Sequence, residues 1–349
     1  MRRLALILLA GALAACGSAQ AQDGSGGGKV DLRLGYYPTI THAPAIAGLA
    51  QGFFARSLGG NVHLTTQVFN AGPAEVEAIF GGALDAGYIG PNPAINAFVK
   101  SRGAAVRIVS GAASGGAGLV VRQGSGISDA ASLRGKRLAS PQLGNTQDVA
   151  LRSYLAAHGI HVTTQGSGDA TITEADNATI LQLFASGQID GAWVPEPYLS
   201  RLVDDEHGTL LVDESSLWPG GRFPTTELLV ATSFLTAHPD VVANLVAANL
   251  ESIDWINANP AQAQQVVNAG LKQLTGKALS TAVVADAWKR LEFSDDPVAA
   301  ALAREAGNAH GVGLLGAVDL HGIVDLRLLN QHLRAAGRPT VSSAGYGPQ

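Results

Sequence analysis

The feature that most constrains this fold is an alternation of short apolar strand-like segments with helical segments. Four strand-like segments open the chain, and they are Val30–Tyr36, Val62–Phe69, Asp85–Ile89 and Val106–Ser110. Helical segments separate them, at Ala43–Ala50, Ala74–Phe80 and Ala94–Lys100. Strands that are joined through helices usually pair in parallel. The pattern therefore predicts an α/β fold whose sheets are rich in parallel strands and carry helices on both faces.

The same alternation resumes after a stretch of small residues, Ser110–Gly118, and a later strand, Glu227–Thr232, returns the chain to the first unit. A chain of 349 residues is long for one hydrophobic core. We therefore predict two lobes joined by two crossings, near Ser110–Gly118 and Thr225–Ala231, which form a hinge that can close over a guest. The expected bounds are 30–113 and 228–340 for lobe 1, 114–227 for lobe 2, and 341–349 for a C-terminal tail.

Polar loops follow several of the predicted strands, at the place where open α/β sheets bind ligands. These loops are Thr39–His42, Asn70–Gly72, Gly90–Asn92, Gly144–Thr146 and Pro195–Tyr198. Most of them open a helix, whose first turn carries unpaired N–H groups and a partial positive charge. One such helix start is equally typical of an ordinary capped helix, but five comparable loops together predict a cleft for an anion.

The start of the chain predicts its compartment. Arg2 and Arg3 precede an apolar run, Leu4–Leu13, which is too short to span a bilayer and is typical of a secretion signal. Leu13-Ala14-Ala15-Cys16 resembles the lipobox of bacterial lipoproteins, in which the cysteine is lipidated after cleavage. We expect a signal peptide at 1–15 and, at 16–29, the lipidated Cys16 with a flexible tether; a secreted protein with a chance cysteine is the alternative.

Composition and motifs narrow the function. The formal net charge is −5, which argues against a nucleic-acid partner. The sequence contains no HExxH and no GxSxG motif, and Gly276-Lys277 is followed by Ala278, so it also lacks a phosphate-binding P-loop. We therefore expect a binding protein, not an enzyme, with no cofactor and no metal.

The order and spacing of several short motifs resemble the aliphatic-sulfonate, taurine and nitrate-binding family of substrate-binding proteins from ATP-binding-cassette importers. The motifs span nearly the whole mature chain and are Leu34-Gly35-Tyr36, Phe69-Asn70-Ala71-Gly72-Pro73, Gly81–Gly87, Leu133-Arg134-Gly135-Lys136-Arg137, Gly144-Asn145-Thr146 and Asp190-Gly191-Ala192-Trp193 with Glu196-Pro197. The resemblance implies the two-lobed periplasmic-binding-protein fold (type II-like), a monomer outside the cytoplasmic membrane, and a membrane permease with its ATPase as partners.

From the loops and the resemblance together we expect the following residues to bind the ligand: Thr39, Ile40, His42, Ala71, Gly72, Gly90, Asn92, Ser114, Gly144, Asn145, Thr146, Glu196, Tyr198 and Arg222. Three of them have a second interpretation. Arg222 is the only obvious basic candidate, but it also fits a solvated loop. Glu196 would pair with a ligand amine or with Arg222, or cap the helix after it. His42 is also compatible with an ordinary surface or capping histidine.

The ligand that we expect first is a small organic anion with an aliphatic sulfonate head. A sulfonate held by N–H groups, hydroxyls and helix starts needs no Lys or Arg. Nitrate, taurine, a thiamine-pyrimidine precursor and an aromatic acid stay open as ligands. A same-fold enzyme, such as the cysteine-dependent thiamine-pyrimidine synthases, and a ligand sensor stay open as functions.

Overall fold

The computed structural model of this protein describes residues 29–349. The predicted signal peptide, the predicted lipidation site Cys16 and the predicted tether up to Gly28 lie outside the described residues. Within residues 29–349 there is no helix that is both long and apolar enough to cross a membrane.

Eleven strands occur in the described part of the chain. They are β1 (Val30–Tyr36), β2 (Val62–Val68), β3 (Ala86–Ile89), β4 (Val106–Gly115), β5 (Ala117–Val121), β6 (Arg137–Ser140), β7 (Thr171–Glu174), β8 (Gly191–Pro195), β9 (Thr209–Asp213), β10 (Pro224–Ala231) and β11 (Leu291–Phe293).

Thirteen α-helices occur over the same residues. They are α1 (Ala43–Ala50), α2 (Phe53–Leu58), α3 (Gly72–Phe80), α4 (Pro91–Lys100), α5 (Thr146–Ala157), α6 (Asn177–Ala185), α7 (Tyr198–Asp204), α8 (Thr232–Ala237), α9 (Pro239–Ala258), α10 (Pro260–Thr275), α11 (Thr281–Lys289), α12 (Leu302–Gly311) and α13 (Arg327–Ala335). Proline occupies the first turn of α1, α3, α4, α9 and α10, where its missing N–H costs nothing.

The strands form two sheets. The first has the order β11-β4-β10-β3-β1-β2 and the second the order β7-β6-β8-β5-β9. Strand β1 pairs in parallel with β2 and β3, and β6 pairs in parallel with β7 and β8. The returning strand β10 and strand β5 are antiparallel to their neighbours. Both sheets are therefore mixed, with most strands pointing in one direction.

Separate hydrophobic cores support the two sheets. One large core joins the first sheet to the helices of residues 43–98 and 234–333. The second sheet has one core on each face: Leu119, Leu138 and Trp193 belong to one, and Val120 and Ala192 to the other. The alternation of neighbouring residues between the two faces follows from the two-residue period of a strand. Two sheets with their own cores make two lobes.

The crossings between the lobes differ from the sequence-based bounds. Residues Ser110–Gly115, expected to be a small-residue crossing, extend β4, and the chain passes to the second sheet only at Gly116. On the way back, Pro224 already pairs with Ser114, and Glu227 pairs with Ile89 and Gly111. The return therefore begins about four residues before the expected boundary at 227/228, because the end of β4 offers the small partners Ser114, Ala113 and Gly111, with which Pro224, Thr226 and Glu227 pair.

The end of the chain is bound to the first lobe. The backbone carbonyl of Tyr346 accepts from the N–H groups of Gly322 and Val324, and the carbonyl of Pro348 accepts from that of Leu326. Residues 341–349, expected to be a tail, are thus hydrogen-bonded to the segment before α13.

Candidate functional site

A small cavity lies where the two lobes meet. Its volume is about 20 Å³, which is the room of one or two water molecules. The described residues that line it are Tyr37, Thr39, Thr41, His42, Asn70, Ala71, Gly90, Asn145, Thr146, Gln147, Asn177, Pro195 and Thr225. Residues of both sheets' loops and of the returning strand β10 therefore line one shared space.

Five helices begin at this cavity. The turn Ile40–His42 leads into α1, Asn70 and Ala71 precede α3, and Gly90 is the N-cap of α4. From the second lobe, Asn145 is the N-cap of α5 and Asn177 is the first residue of α6. Each helix start brings N–H groups without an intrahelical partner and a partial positive charge. Their convergence makes the cavity electropositive without any charged side chain.

Within residues 29–349, no N-cap side chain of α3, α4 or α5 accepts a backbone N–H of its own helix, although the Asn145 amide donates to the Gln147 side chain in α5. Two buried polar atoms of cavity-lining residues also have no partner there, and they are the Thr146 hydroxyl and the Asn177 Oδ1. Buried polar groups in folded proteins are nearly always hydrogen-bonded. The first turns of α5 and α6 therefore offer unused hydrogen-bonding capacity that faces the cavity.

The lobes approach closely beside Thr146. A Cβ atom placed on Gly90 of the first lobe would lie 2.3 Å from the Thr146 hydroxyl of the second lobe. Next to this contact, the Gly72 N–H lies 3.4 Å from the Asn145 Oδ1. Glycine at position 90 thus permits the closed arrangement, because any larger side chain would collide with the start of α5.

His42 contributes a neutral donor. Burial lowers the pKa of its imidazole to about 3, so the ring is uncharged at neutral pH. Its Nδ1 accepts the Tyr37 N–H at 3.2 Å, which leaves the proton on Nε2. The rings of Tyr37 and His42 are 4.2 Å apart between centroids.

A buried acid lies behind that pair of rings. The Tyr37 hydroxyl donates to the Glu75 carboxyl at 2.6 Å. The Glu75 carboxyl fills a hollow that two paired glycines leave in the first sheet, since Cβ atoms on Gly35 and Gly87 would lie 2.4 and 1.7 Å from it. Burial raises the pKa of Glu75 to about 8, although the bond from Tyr37 acts in the opposite direction. The group is therefore protonated at neutral pH and adds no negative charge behind the cavity.

Among the described residues that line the cavity, none is Lys, Arg, Asp or Glu. The chemistry that this arrangement supports is the binding of an anion by helix starts, hydroxyls, amides and one neutral imidazole.

The structure brings together six of the fourteen residues expected to bind the ligand, and they are Thr39, His42, Ala71, Gly90, Asn145 and Thr146. Tyr198 lines a second small cavity next to the first. The remaining seven residues lie elsewhere.

Five of the seven have structural contacts instead. Ile40 is fully buried in the large core. Gly72 donates to Asn145, and the Asn92 amide donates to the carbonyl of Glu305. The Ser114 hydroxyl accepts the Phe223 N–H in the crossing, and the Gly144 N–H donates to Asp148. The loops were predicted well, but individual side chains in a turn point in different directions, so adjacency in sequence did not place them all in the cavity.

Arg222 and Glu196 were expected in the cleft, and the structure corrects both. Arg222 pairs with Glu292 at 3.1 Å and Asp296 at 3.2 Å, away from the cavity. The Glu196 carboxyl accepts from the Ser200 N–H and hydroxyl in the first turn of α7, and it pairs with Arg290 at 3.2 Å. Of the interpretations open for Glu196, capping of its own helix is the one that the geometry fits. Burial raises the pKa of Glu196 to about 7, against the effect of Ser200 and Arg290.

Other cavity residues were not among the expected fourteen. They are Tyr37, Thr41, Asn70, Gln147, Asn177, Pro195 and Thr225. Most adjoin an expected residue in a predicted loop. Asn177 is different, because it follows strand β7 and the capping Asp176, whose side chain accepts the Thr179 N–H. An Asp-Asn pair after a strand is a helix-start signal that would have pointed to this sixth loop.

Two lobes of α/β structure, two crossings between them and a polar cavity at the junction define the periplasmic-binding-protein fold. Solved structures agree: the alkanesulfonate-binding protein SsuA from Xanthomonas axonopodis pv. citri, bound to MOPS, superposes with a TM-score of 0.68 over 83% of this chain and 96% of its own, at 23% identity. The profile of the NMT1-like family matches residues 25–271, and the chain belongs to that family.

Curated relatives are similar over most of this chain. A putative binding protein of Brucella abortus is 28% identical over 247 residues, which are 70% of this chain and 72% of the relative. The bicarbonate-binding protein CmpA of Synechococcus elongatus is 25% identical over 273 residues, or 68% of this chain and 56% of CmpA.

Proposed function

We propose that this protein is the extracytoplasmic substrate-binding protein of an ATP-binding-cassette importer and that it captures a small anion between its lobes. The observation that carries the proposal is the convergence of five helix starts on one small cavity with no charged side chain in its described lining. In such a site the ligand itself supplies the charge, and the helix dipoles and N–H groups compensate it.

The ligand that we propose is an organic anion with a sulfonate-type head. A tetrahedral head with three oxygens can accept from several helix starts at once, together with the Thr146 hydroxyl and the His42 Nε2–H. A relative named as a bicarbonate-binding protein and a cavity of about 20 Å³ favour a second candidate, a compact inorganic oxyanion such as bicarbonate or nitrate.

The proposed partners are a membrane permease and its ATPase, to which the closed lobes deliver the ligand. In the proposal, Cys16 is lipidated and holds the protein at the outer face of the cell membrane as a monomer. A binding role without turnover is supported by the family and by the composition of the cavity, in whose described lining no serine, threonine or cysteine is paired with a base.

Isothermal titration of the purified protein with alkanesulfonates, taurine, nitrate and bicarbonate tests the proposal. We expect at least one of these anions to bind with a Kd of about 1 μM or below. An absence of heat with all of them, together with an unchanged melting temperature, would overturn the proposed anion-binding function.

The variant Thr146→Asp tests the helix start of α5. It places a carboxylate where the anion would accept, so affinity should fall by about 100-fold or more, since like charges a few ångströms apart cost several kcal/mol at low dielectric. Thr281→Asp is the matched control, because Thr281 is also the first residue of a helix, is exposed, and lies outside the cavity. Equal affinity of the two variants would show that α5 does not hold the head group.

A further inference from the structure

Three buried carboxyls lie where the two lobes meet. Glu305 belongs to α12 of the first lobe, Glu227 to the returning strand β10, and Glu214 to the short helical turn that follows β9 in the second lobe. None of the three residues is more than 2% exposed. The charges of Glu214 and Glu227 both act on Glu305, so both carboxyls lie within electrostatic range of it. We refer to these three residues as the acid cluster.

The acid cluster borders one of the helix starts at the cavity. Gly90, which lines the cavity, is the N-cap of α4. Glu227 pairs with Ile89, directly before that cap, and the Asn92 amide in the first turn of α4 donates to the Glu305 carbonyl at 3.2 Å. The charge of the cluster is therefore set close to the place where the anion would bind.

Contacts between the lobes surround the acid cluster. The Ser153 hydroxyl on α5 donates to the Asn308 carbonyl on α12 at 3.3 Å, and the Arg304 guanidinium lies 4.4 Å from the centroid of the Trp218 ring. The cavity lies where the lobes meet, so the lobes must separate to admit a ligand. We expect this separation to move α5 and Trp218 away from α12 and to let water reach the acid cluster.

The acid cluster lacks the partners that buried carboxylates need. Within the described chain, both oxygens of Glu227 and Oε1 of Glu305 have no hydrogen-bond partner, and the buried Asn92 Oδ1 and Thr226 hydroxyl have none either. An unpaired carboxylate is costly in a protein interior, whereas a protonated carboxyl can donate to such an acceptor. Burial raises the pKa of Glu227 well above its ordinary value, and burial and the neighbouring acids do the same for Glu305. In the closed arrangement both groups therefore hold a proton at neutral pH.

The charged residues next to the acid cluster do not reverse this effect. Arg304 opposes the rise in the pKa of Glu305, but burial, Glu214 and Glu227 each act more strongly. Asp213 adds to the effect of burial, which raises the pKa of Glu214 to about 7.

Other titratable groups on the elements that pack against the acid cluster are paired, neutral or distant. The pairs are Asp148 with Arg152, Asp295 with Arg338, and Asp296 with Arg222. At neutral pH the uncharged groups are His42, Tyr88 and Tyr154. Lys100 and His310 lie in the last turns of α4 and α12, away from the helix starts, and Arg107 donates to the Gly103 carbonyl.

We propose that the acid cluster is a proton-binding site coupled to closure, so that the protein takes up at least one proton when its lobes close over the anion. This inference rests on the proposed anion-binding function and adds to it that anion and proton bind together. A bound anion favours the same outcome, because its negative charge near the start of α4 disfavours a second one on the carboxyls.

The direction of the pH dependence follows from the two states of Glu305. With the lobes apart and the carboxyl hydrated, its pKa returns toward the ordinary 4.5, and with the lobes closed its pKa is well above that value. Below pH 4.5 both states hold the proton. Between the two pKa values only the closed state holds it, so affinity for the anion falls as pH rises, by about tenfold per pH unit for each proton.

Titration calorimetry of the wild-type protein tests the inference with ethanesulfonate and with nitrate, whose charges are fixed, at pH 6.5, 7.5 and 8.5 in amine buffers. We expect the Kd to rise by about 30- to 100-fold over this range for one proton. A saturating amount of the anion, added to weakly buffered protein at pH 7.5, should also raise the pH by the equivalent of about one proton per protein. His42 cannot produce this result, because its neutral form already predominates above pH 6.5.

The variant Glu305→Gln locates the effect in the acid cluster. Glutamine resembles the protonated carboxyl but cannot ionise, so the variant should fold, bind the anion at least about tenfold more tightly than the wild type at pH 8.5, and depend less on pH. Glu227→Gln removes a second carboxyl of the cluster and should weaken the pH dependence in the same direction. Glu77→Gln is the matched control, because Glu77 is exposed on α3 of the same lobe, and it should keep the wild-type profile.

One further acid lies in a contact between the lobes. Glu196, whose pKa burial raises to about 7, pairs with Arg290 at 3.2 Å. Its contribution is common to the wild type and to all three variants, so the comparison between them isolates the acid cluster.

The outcomes separate this inference from the proposed function. If an anion bound with the same Kd at all three pH values and without proton uptake, the anion site would stand and the proton coupling would be refuted. A pH dependence that is equal in Glu305→Gln, Glu227→Gln and Glu77→Gln would place the proton elsewhere and also refute it. If neither anion bound at any pH, both proposals would fail.

Discussion

The buried carboxyl of Glu75 makes a quantitative prediction about stability and pH. In the folded protein its pKa is about 8, against an ordinary value of 4.5, and burial is the cause. Below pH 4.5 both the folded and the unfolded chain hold the proton. Between pH 4.5 and 8 only the folded chain does, so the free energy of unfolding falls as pH rises, by about 1.4 kcal/mol per pH unit from this group.

The substitution Glu75→Gln removes the pH dependence that Glu75 contributes and preserves the hydrogen bond with Tyr37. A glutamine amide still offers an acceptor to the Tyr37 hydroxyl, which lies 2.6 Å from the Glu75 carboxyl, and it has no proton to lose. From pH 5 to 8 the wild-type protein should lose on the order of 4 kcal/mol more stability than the variant does.

Urea unfolding followed by tryptophan fluorescence at pH 5, 6, 7 and 8 measures this difference. The comparison between variants matters because other groups titrate in the same range. Burial also raises the pKa of Glu196 and Glu214 to about 7, so these groups likewise lower the free energy of unfolding as pH rises. Burial lowers the pKa of His42 to about 3, so this group raises the free energy of unfolding as pH rises toward 6.5. These contributions are common to both proteins and cancel in the difference.

The control is Glu77→Gln on the same helix, where the side chain is exposed, and its pH profile should follow the wild type. Parallel profiles for wild type and Glu75→Gln would refute the reasoning, because they would mean that Glu75 ionises in the folded protein without cost. A wild-type protein that became more stable than Glu75→Gln toward pH 8 would refute the sign.

Two further predictions concern the cleft and its support. Gly90→Ala should leave the fold intact, because the φ of Gly90, −77°, suits any residue. The added Cβ would collide with the Thr146 hydroxyl. Overpacking of this kind costs about 1–3 kcal/mol, so the affinity for the anion, measured by calorimetry, should fall by about 5- to 150-fold. Unaltered affinity would contradict the close approach of the lobes at this point. Arg152→Met should lower the free energy of unfolding by about 3–5 kcal/mol in urea titrations, because it leaves the fully buried Asp148 without its partner at 2.9 Å. The exposed pair Arg134–Asp169 gives the control, and Arg134→Met should lower the free energy of unfolding by about 1 kcal/mol or less. Equal losses in the two variants would show that burial does not make the Arg152–Asp148 pair more important for stability.

The sequence-based elements agree with the structure where local patterns are strong. The predicted bounds of β1 and α1 are those observed, because alternating apolar residues and a proline in the first turn depend only on near neighbours. Prediction was weaker at Ser110–Gly115, where small residues have little preference of their own and the neighbouring strand β10 decides that they continue β4.

The candidate site also has a part that local sequence patterns predicted and a part that they did not. Five polar loops were predicted, and residues of all five line the cavity. The side chains within those loops were harder to predict, because the partner of each is distant in sequence. Pairing of Glu196 with Arg222 was one of the interpretations, but the cation that reaches Glu196 is Arg290, 94 residues away at the C-cap of α11. The contact between Gly90 and Thr146 joins the two lobes, and the sequence near either residue does not predict it.

The sequence by itself determined the helices and strands with strong local patterns, such as β1 and α1, and the polar character of the helix starts, since these depend on propensities and periodicities within a few residues. Only the tertiary structure decided that five helix starts meet in one cavity and that its volume is about 20 Å³. Those properties arise from packing between residues that are far apart in the chain, where a shift of one or two ångströms separates an enclosed site from an open surface.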